Sequence, residues 1–248
     1  MGAAMDRSSR FSYQCMACGR CCRDKLITLS PYDVIRIAEA AGIAPGAAVE
    51  RHTIRRGSIL RFGEGGGCVA LEGLRCTVHR GRPLACRLYP LGLDRAPGGA
   101  EKFVRLEPAA GSAGVYGESG SVGAFLGEQG VDEYLAANAR YRLLVLLMRA
   151  RIETLADFET IEPREFWRRA AREALAESNF DPNPLIDALF DPGLVGSLRD
   201  TAAATVDAHL GALERRILAE NDAAVIAAVA VALAVSLGYS PAEVIGSR

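Results

Sequence analysis

Cys15-Met16-Ala17-Cys18-Gly19-Arg20-Cys21-Cys22 puts four cysteines into eight residues, in the pattern C-x2-C-x2-C-C. Two intervening residues let a turn bring a pair of sulfurs onto one metal ion. Cysteines used as small core hydrophobes have no reason to crowd in this way. A second group follows at Cys68, Cys76 and Cys86, with His79 at ligand spacing from Cys76. None of the seven cysteines lies outside the two groups. Seven thiols and His79 make eight candidate donors, the number that two closed tetrahedral zinc sites require.

An iron–sulfur cluster is the competing occupant. The C-x2-C-x2-C run resembles the bacterial ferredoxin loop, which continues x3-C-P. Here Cys22 follows at once and Lys25 stands where that fourth cysteine would be. The fourth ligand would then come from Cys22 or from the second group. Adjacent residues of extended backbone point to opposite sides, so Cys21 and Cys22 are expected to diverge. Arg20, Arg23, Arg82 and Arg87 flank the cysteines and would offset thiolate charge and hydrogen-bond the sulfurs.

Charge follows the same division. Up to Glu107 there are 17 Lys+Arg against 10 Asp+Glu, a balance of +7; the remainder has 12 against 20, a balance of −8. The formal net charge of −1 gives no sign of nucleic-acid binding, and Phe11, Tyr13 and Phe62 are expected as core or loop anchors. Residues 1–14 lack the apolar stretch of an export signal, which predicts a cytoplasmic protein with reduced thiols. The longest apolar run, 223–237, falls short of the roughly 20 residues of a membrane span and predicts a buried helix with no membrane contact.

Working outward, residues 1–14 are polar and expected to be loose until a metal anchors them. Ser30-Pro31-Tyr32-Asp33 is a helix start: serine caps, proline occupies the first helical position, and aspartate adds negative charge. Val34, Ile35, Ile37, Ala38 and Ala41 then recur at helical spacing, and Gly42 closes the helix. A second short helix is predicted over 45–51. Short strands are predicted at 68–71, 76–78 and 102–106, with the GEGGG turn at 63–67 between them and the preceding segment. Residues 108–120 are small and glycine-rich and predict a linker. Helices are predicted at 131–154, 162–178, 184–190, 194–220 and 223–237. His209 is expected on a solvent-facing side, and Asp181-Pro182 and Asp191-Pro192 are expected as turns or helix starts. The fold class is therefore α+β, mostly α. A small irregular, metal-stapled cysteine unit with short strands (1–110) packs on a helical bundle (111–248).

CGRCC, LSPYD and then C-x7-C-x2-H-x-G-R-P-x2-C-R-L-Y-P together resemble the YkgJ-type cysteine-cluster family, described as zinc- or iron-chelating. The resemblance is specific over 15–91 and weaker over 111–141. It implies Cys15, Cys18, Cys21, Cys22, Cys68, Cys76 and Cys86 as metal ligands, for a [4Fe-4S] cluster or Zn2+. Many members of that family carry a further cysteine in a C-x-G segment; here the corresponding stretch reads Ser112-Ala113-Gly114. The position of His79 is often tyrosine among them. By cysteine pattern a distant relative is the flagellin lysine N-methylase, linked to an iron–sulfur cluster and S-adenosylmethionine. That likeness tips the balance toward iron–sulfur. It also implies an alternative, a cluster-dependent modifying enzyme acting on a protein partner with a cofactor pocket lined by Arg87 and Tyr89. Gly63-Glu64-Gly65-Gly66-Gly67-Cys68 fails the dinucleotide pattern G-x-G-x-x-G at its last position.

Overall fold

The computed structural model describes residues 4–95, 100–175, 183–191 and 201–239. The chain is α+β and mostly helical, with short antiparallel strand pairs confined to its first half and the segment that follows.

Ser30 opens α1 (Pro31–Ala41) with a reciprocal capping box: its side chain accepts the Asp33 N–H, and the Asp33 carboxylate accepts the Ser30 N–H at 2.7 Å. Gly42 ends the helix at φ 63°, a left-handed conformation that costs glycine nothing. The helix then splits its apolar residues between two cores. Val34, Ile37 and Ala38 pack with Leu29, Ala48, Leu60, Ala70 and Val78. Tyr32 and Ile35 belong instead to the large helical core. The first of these cores also takes α2 (Pro45–His52) and two minimal ladders, β2 (Thr53–Ile54) with β3 (Ile59–Leu60) and β4 (Leu71–Glu72) with β5 (Arg75–Cys76).

After α3 (Leu84–Leu88) comes a hairpin, β6 (Leu91–Arg95) with β7 (Glu101–Arg105), in the register Leu93↔Phe103. Two predicted loose segments turn out to pair. β1 (Arg10–Gln14) runs antiparallel to β8 (Val115–Ser121), with Tyr13 opposite Tyr116 and Gln14 opposite Val115. The expectation of a free N-terminus and a free linker is corrected accordingly. Phe11 drives the pairing. It is 3% exposed and packs with Leu88, Leu91, Phe103, Val122, Phe125, Leu126, Val131 and Leu135. That core draws on both sides of residue 110.

The helical half holds α4 (Val122–Glu128), α5 (Val131–Leu155), α6 (Pro163–Ala174), α7 (Pro184–Phe190), α8 (Ala202–Ala219) and α9 (Ala223–Ser236). Every residue of α9 from Ile226 to Ala234 is buried, which accounts for its apolar run. Among the described residues no helix is long and apolar enough to cross a membrane. Residues 176–178 and 194–200 of the predicted helices lie outside the described residues, as do Asp181-Pro182 and Pro192. The cap of α7 is Asn183, whose side chain accepts the Leu185 and Ile186 N–H groups.

His209 is a further correction. It is 0% exposed, on α8. Its Nε2 lies 3.0 Å from the Ala188 carbonyl and its Nδ1 2.8 Å from the Tyr141 hydroxyl. A carbonyl only accepts, so Nε2 carries the proton and Nδ1 accepts from Tyr141. Burial is the main reason its pKa is pushed down from 6.5 to about 4. A histidine held neutral in this way contributes stability above its unfolded pKa and loses it as pH falls through the window from 6.5 to about 4. Acid titration across this window should remove about 3 kcal/mol of unfolding free energy. His209→Gln should flatten that slope in urea melts at each pH, and an unchanged slope would assign the acid sensitivity elsewhere.

Candidate metal centre

β1 delivers the chain to Cys15, where two left-handed residues, Ala17 at φ 49° and Gly19 at φ 67°, fold the cysteine loop back on itself. A side chain at Gly19 would be strained by the positive φ, while its Cβ would make only ordinary contact with Leu74 and Leu71 of the β4–β5 hairpin. Arg20–Cys22 forms a single 3-10 turn, closed by Cys22 N–H to Gly19 O at 3.2 Å. This turn corrects the expectation of divergence. The backbone is not extended there, and the Cys21 and Cys22 sulfurs stand 3.9 Å apart.

The second group is brought to the first by main-chain bonds. Cys68 N–H donates to Cys22 O at 2.9 Å, and Arg23 bridges to Gly67. Cys76 sits on β5 opposite Leu71, and Cys86 lies in α3. The electrostatics report the convergence. Burial, followed by the charges of Cys68, Cys76, Asp33 and Cys21, pushes the Cys86 thiol far up. Cys22 is also raised, first by its hydrogen bond to Cys21, then by burial and by the charges of Cys21, Cys86 and Cys76. Cys21 is lowered because Cys22 donates to it. Burial raises Cys68 and Cys76. Cys21, Cys22, Cys68, Cys76 and Cys86 thus form one electrostatic group drawn from three separate segments. Among the described residues no three Cys, His, Asp or Glu side chains close on a common ion as they stand. The group offers sulfur donors alone. Its soft, all-sulfur donor chemistry suits zinc or iron.

Cys15 is exposed, while the other six cysteines are part-buried. Cys18 accepts the Ala113 N–H at 3.5 Å, and this bond, with one from the Arg20 N–H, lowers its pKa. Ser112 also bonds Cys18, so the Ser112-Ala113-Gly114 segment lies against the cysteine loop. Gly114 meets the Tyr13 hydroxyl so closely that a Cβ there would stand 1.9 Å from its oxygen.

Two contacts tie this group to α1. The Asp33 carboxylate is 2% exposed. Besides the Ser30 N–H and hydroxyl, it accepts the Leu84 N–H at 2.7 Å. It thereby fixes the first turn of α3, two residues before Cys86. Gly81 approaches α1 so closely that a Cβ would meet the Arg36 carbonyl oxygen at 1.9 Å. The glycine of the H-x-G-R-P stretch is thus required by packing.

The flanking residues have definite tasks. Arg87 is 7% exposed and lies over the Tyr134 ring at 4.5 Å. Its guanidinium donates to the carbonyls of Arg82 (3.0 Å), Gln129 (2.5 Å) and Arg80. Each of its three nitrogens donates to main chain, so Arg87 holds the 80–87 segment against the end of α4. The Tyr89 hydroxyl accepts the Ala109 N–H at 3.2 Å, and its ring meets Tyr13 edge-on. Arg82 donates to the His79 carbonyl and to Gln129 Oε1, and reaches His79 Nδ1 at 3.3 Å. His79 itself is exposed. Arg20 lies beside Gly111 and Arg23 beside Gly67. A cavity of about 540 Å³ lies in the helical half, lined by Glu165, Arg169, Arg172, Asn183 and Asp222, and includes neither Arg87 nor Tyr89.

The sequence assigned Asp33 only a negative charge in the first turn of α1, and its bonds to Ser30 and Leu84 were not expected. The available signal was that LSPYD and GRPLAC travel in one chain, each carrying half of this contact.

Residues 14–108 match the CxxCxxCC family, whose description reads "Putative zinc- or iron-chelating domain". No curated protein and no solved structure matches the chain.

Two substitutions test how the group is held. Asp33→Ala strands three buried donors and should cost on the order of 3 kcal/mol in urea melts. Gly81→Ala should cost on the order of 2 kcal/mol by overpacking against α1. Both should weaken metal retention against a chelator, because both move the segment bearing Cys86. Wild-type retention in either would show that α1 does not position the thiols.

Proposed function

We propose that the CxxCxxCC domain over residues 14–108 holds a zinc or iron–sulfur centre on cysteine thiolates, and that this centre staples the irregular N-terminal half to α1 and α3. The observation that carries the reading is the mutual influence of Cys21, Cys22, Cys68, Cys76 and Cys86, which come from three segments and share one electrostatic neighbourhood. Part-buried thiols that raise one another's pKa stay protonated and neutral, and a bound cation is what would let several of them ionise together. The Arg82 charge bears on Cys76 and so favours thiolate there.

Five thiols exceed the four that a closed tetrahedral zinc site or a cubane cluster takes. Bound zinc supplies structure, and a bound iron–sulfur cluster supplies in addition a one-electron store. The tight C-x2-C-x2-C run favours the cluster. The role that follows is structural, redox or metal handling.

Metal and acid-labile sulfide analysis of protein purified without oxygen decides the occupant. Iron with matching sulfide and a reducible visible chromophore establishes the cluster, and zinc without sulfide establishes the other centre. Protein that binds neither after reconstitution would overturn the reading. Metal-stripped protein should be cleaved by trypsin first within residues 15–90, ahead of the α5–α9 bundle. Unchanged cleavage there would remove the stapling role.

A further inference from the structure

Helix α6 presents two unlike faces. Ala170 is 2% exposed in the helical core, and Phe166 and Trp167 pack beside it. On the other side Glu165 holds Arg168 and, at 3.0 Å, Arg172. Arg169 and Glu173 take no part in that network. Neither has a hydrogen-bond or ion-pair partner among the described residues. They stand at i and i+4, where Cβ atoms are about 5–6 Å apart. Arginine N-terminal to glutamate is the weaker order of such a pair, and the two side chains do not pair with each other.

Both line the cleft of about 540 Å³ between α6, the cap of α7 and the start of α9. That volume suits a small molecule. Two further polar groups of its lining have bonding capacity left over. Asn183 is 8% exposed; its Oδ1 accepts the Leu185 and Ile186 N–H groups, and its Nδ2 has no acceptor among the described residues. A donor so withdrawn from water is costly until something accepts from it. Asp222 accepts the Ala224 and Val225 N–H groups through Oδ1, and its Oδ2 has no partner among the described residues. Ala170, Ala224 and Val225 give the cleft apolar surface.

The unspent groups are therefore two donors, the Arg169 guanidinium and the Asn183 amide, and two acceptors, the Glu173 and Asp222 carboxylates. A simple anion would meet the carboxylates as like charges, and a simple cation would meet Arg169. A molecule that carries both a carboxylate and an ammonium satisfies both sets. We infer that this cleft binds a small zwitterion of the class of free α-amino acids and short peptides, its carboxylate on Arg169 and Asn183 and its ammonium on Glu173 and Asp222. The site uses no cysteine and stands apart from the metal-binding reading.

Calorimetric titration of the full-length protein with each of the common amino acids, and with di- and trialanine, tests this. Binding of a free amino acid supports the inference and names that source, and binding of the alanine peptides alone supports it and names the other. Arg169→Ala and Glu173→Gln each remove a charge-assisted bond and should weaken binding about tenfold or more. Neither side chain belongs to the core, so both variants should keep the wild-type melting temperature. Propionate and propylamine, which carry one charge each, should bind about tenfold or more weakly than the zwitterion. Propionate bound as tightly as the zwitterion would overturn the inference, because the cleft would then be an anion site only. Unchanged affinity in either variant would also overturn it, as would no binding of any amino acid or peptide by calorimetry and equilibrium dialysis. Metal content is measured independently on the same protein, so failure here leaves the reading of the cysteines standing.

Discussion

The buried carboxylate of Asp33 is the joint on which the N-terminal half depends. Its two oxygens accept three donors, two from Ser30 and one from Leu84. A carboxylate withdrawn from water is costly unless hydrogen bonds replace its hydration, and here they do. The desolvation is still strong enough to raise its pKa. One side chain thereby starts α1 and anchors α3, across 51 residues of sequence. Because α1 divides its apolar face between two cores, anything fixed to α1 is fixed to both halves of the molecule. Cys86 is fixed in this way.

What could be read from the sequence was what is local. The cap, first turn and glycine stop of α1 are set within thirteen residues, Ser30 to Gly42, by rules that need no tertiary context. The cysteine spacing likewise pointed to the zinc- or iron-chelating family that residues 14–108 match. What could not be read was the long-range pairing. The β1–β8 ladder joins segments about a hundred residues apart, and Val115-Tyr116-Gly117-Glu118-Ser119-Gly120 has too little apolar alternation to announce a strand. It is a strand because Phe11 on its partner is buried. His209 failed for the same reason. Its place after Asp207-Ala208 suggested an exposed position, but its burial is decided by α7 and by Tyr141 on α5. The Cys21–Cys22 pair was misjudged on one local point, a 3-10 turn set up by the left-handed Gly19.

Charge patterning gains a more specific meaning in the structure. The N-terminal excess of arginine was read as compensation for thiolate charge. Arg82 answers to that description, since it favours ionised Cys76. Arg87 does not act in that way alone. Its planar fork spreads three nitrogens toward three carbonyls at once, a geometry that the single nitrogen of a lysine does not reproduce. The guanidinium therefore orders a loop with no regular hydrogen bonding of its own, and its charge reaches Asp33 as a secondary benefit.

These constraints bear on how the cysteine segments are held. The Cys86 segment is tied to α1 by the Asp33 and Gly81 contacts and to the end of α4 by Arg87. Loosening Asp33 or Arg87 would expose unpaired buried donors or a stranded carboxylate. In the cysteine loop, Cys18 is bonded by the Ala113 and Arg20 N–H groups and by Ser112, and Cys15 is exposed. The two cysteine segments are thus held by unlike means: buried side-chain bonds and tight packing at Cys86, main-chain bonds and left-handed turns at the cysteine loop.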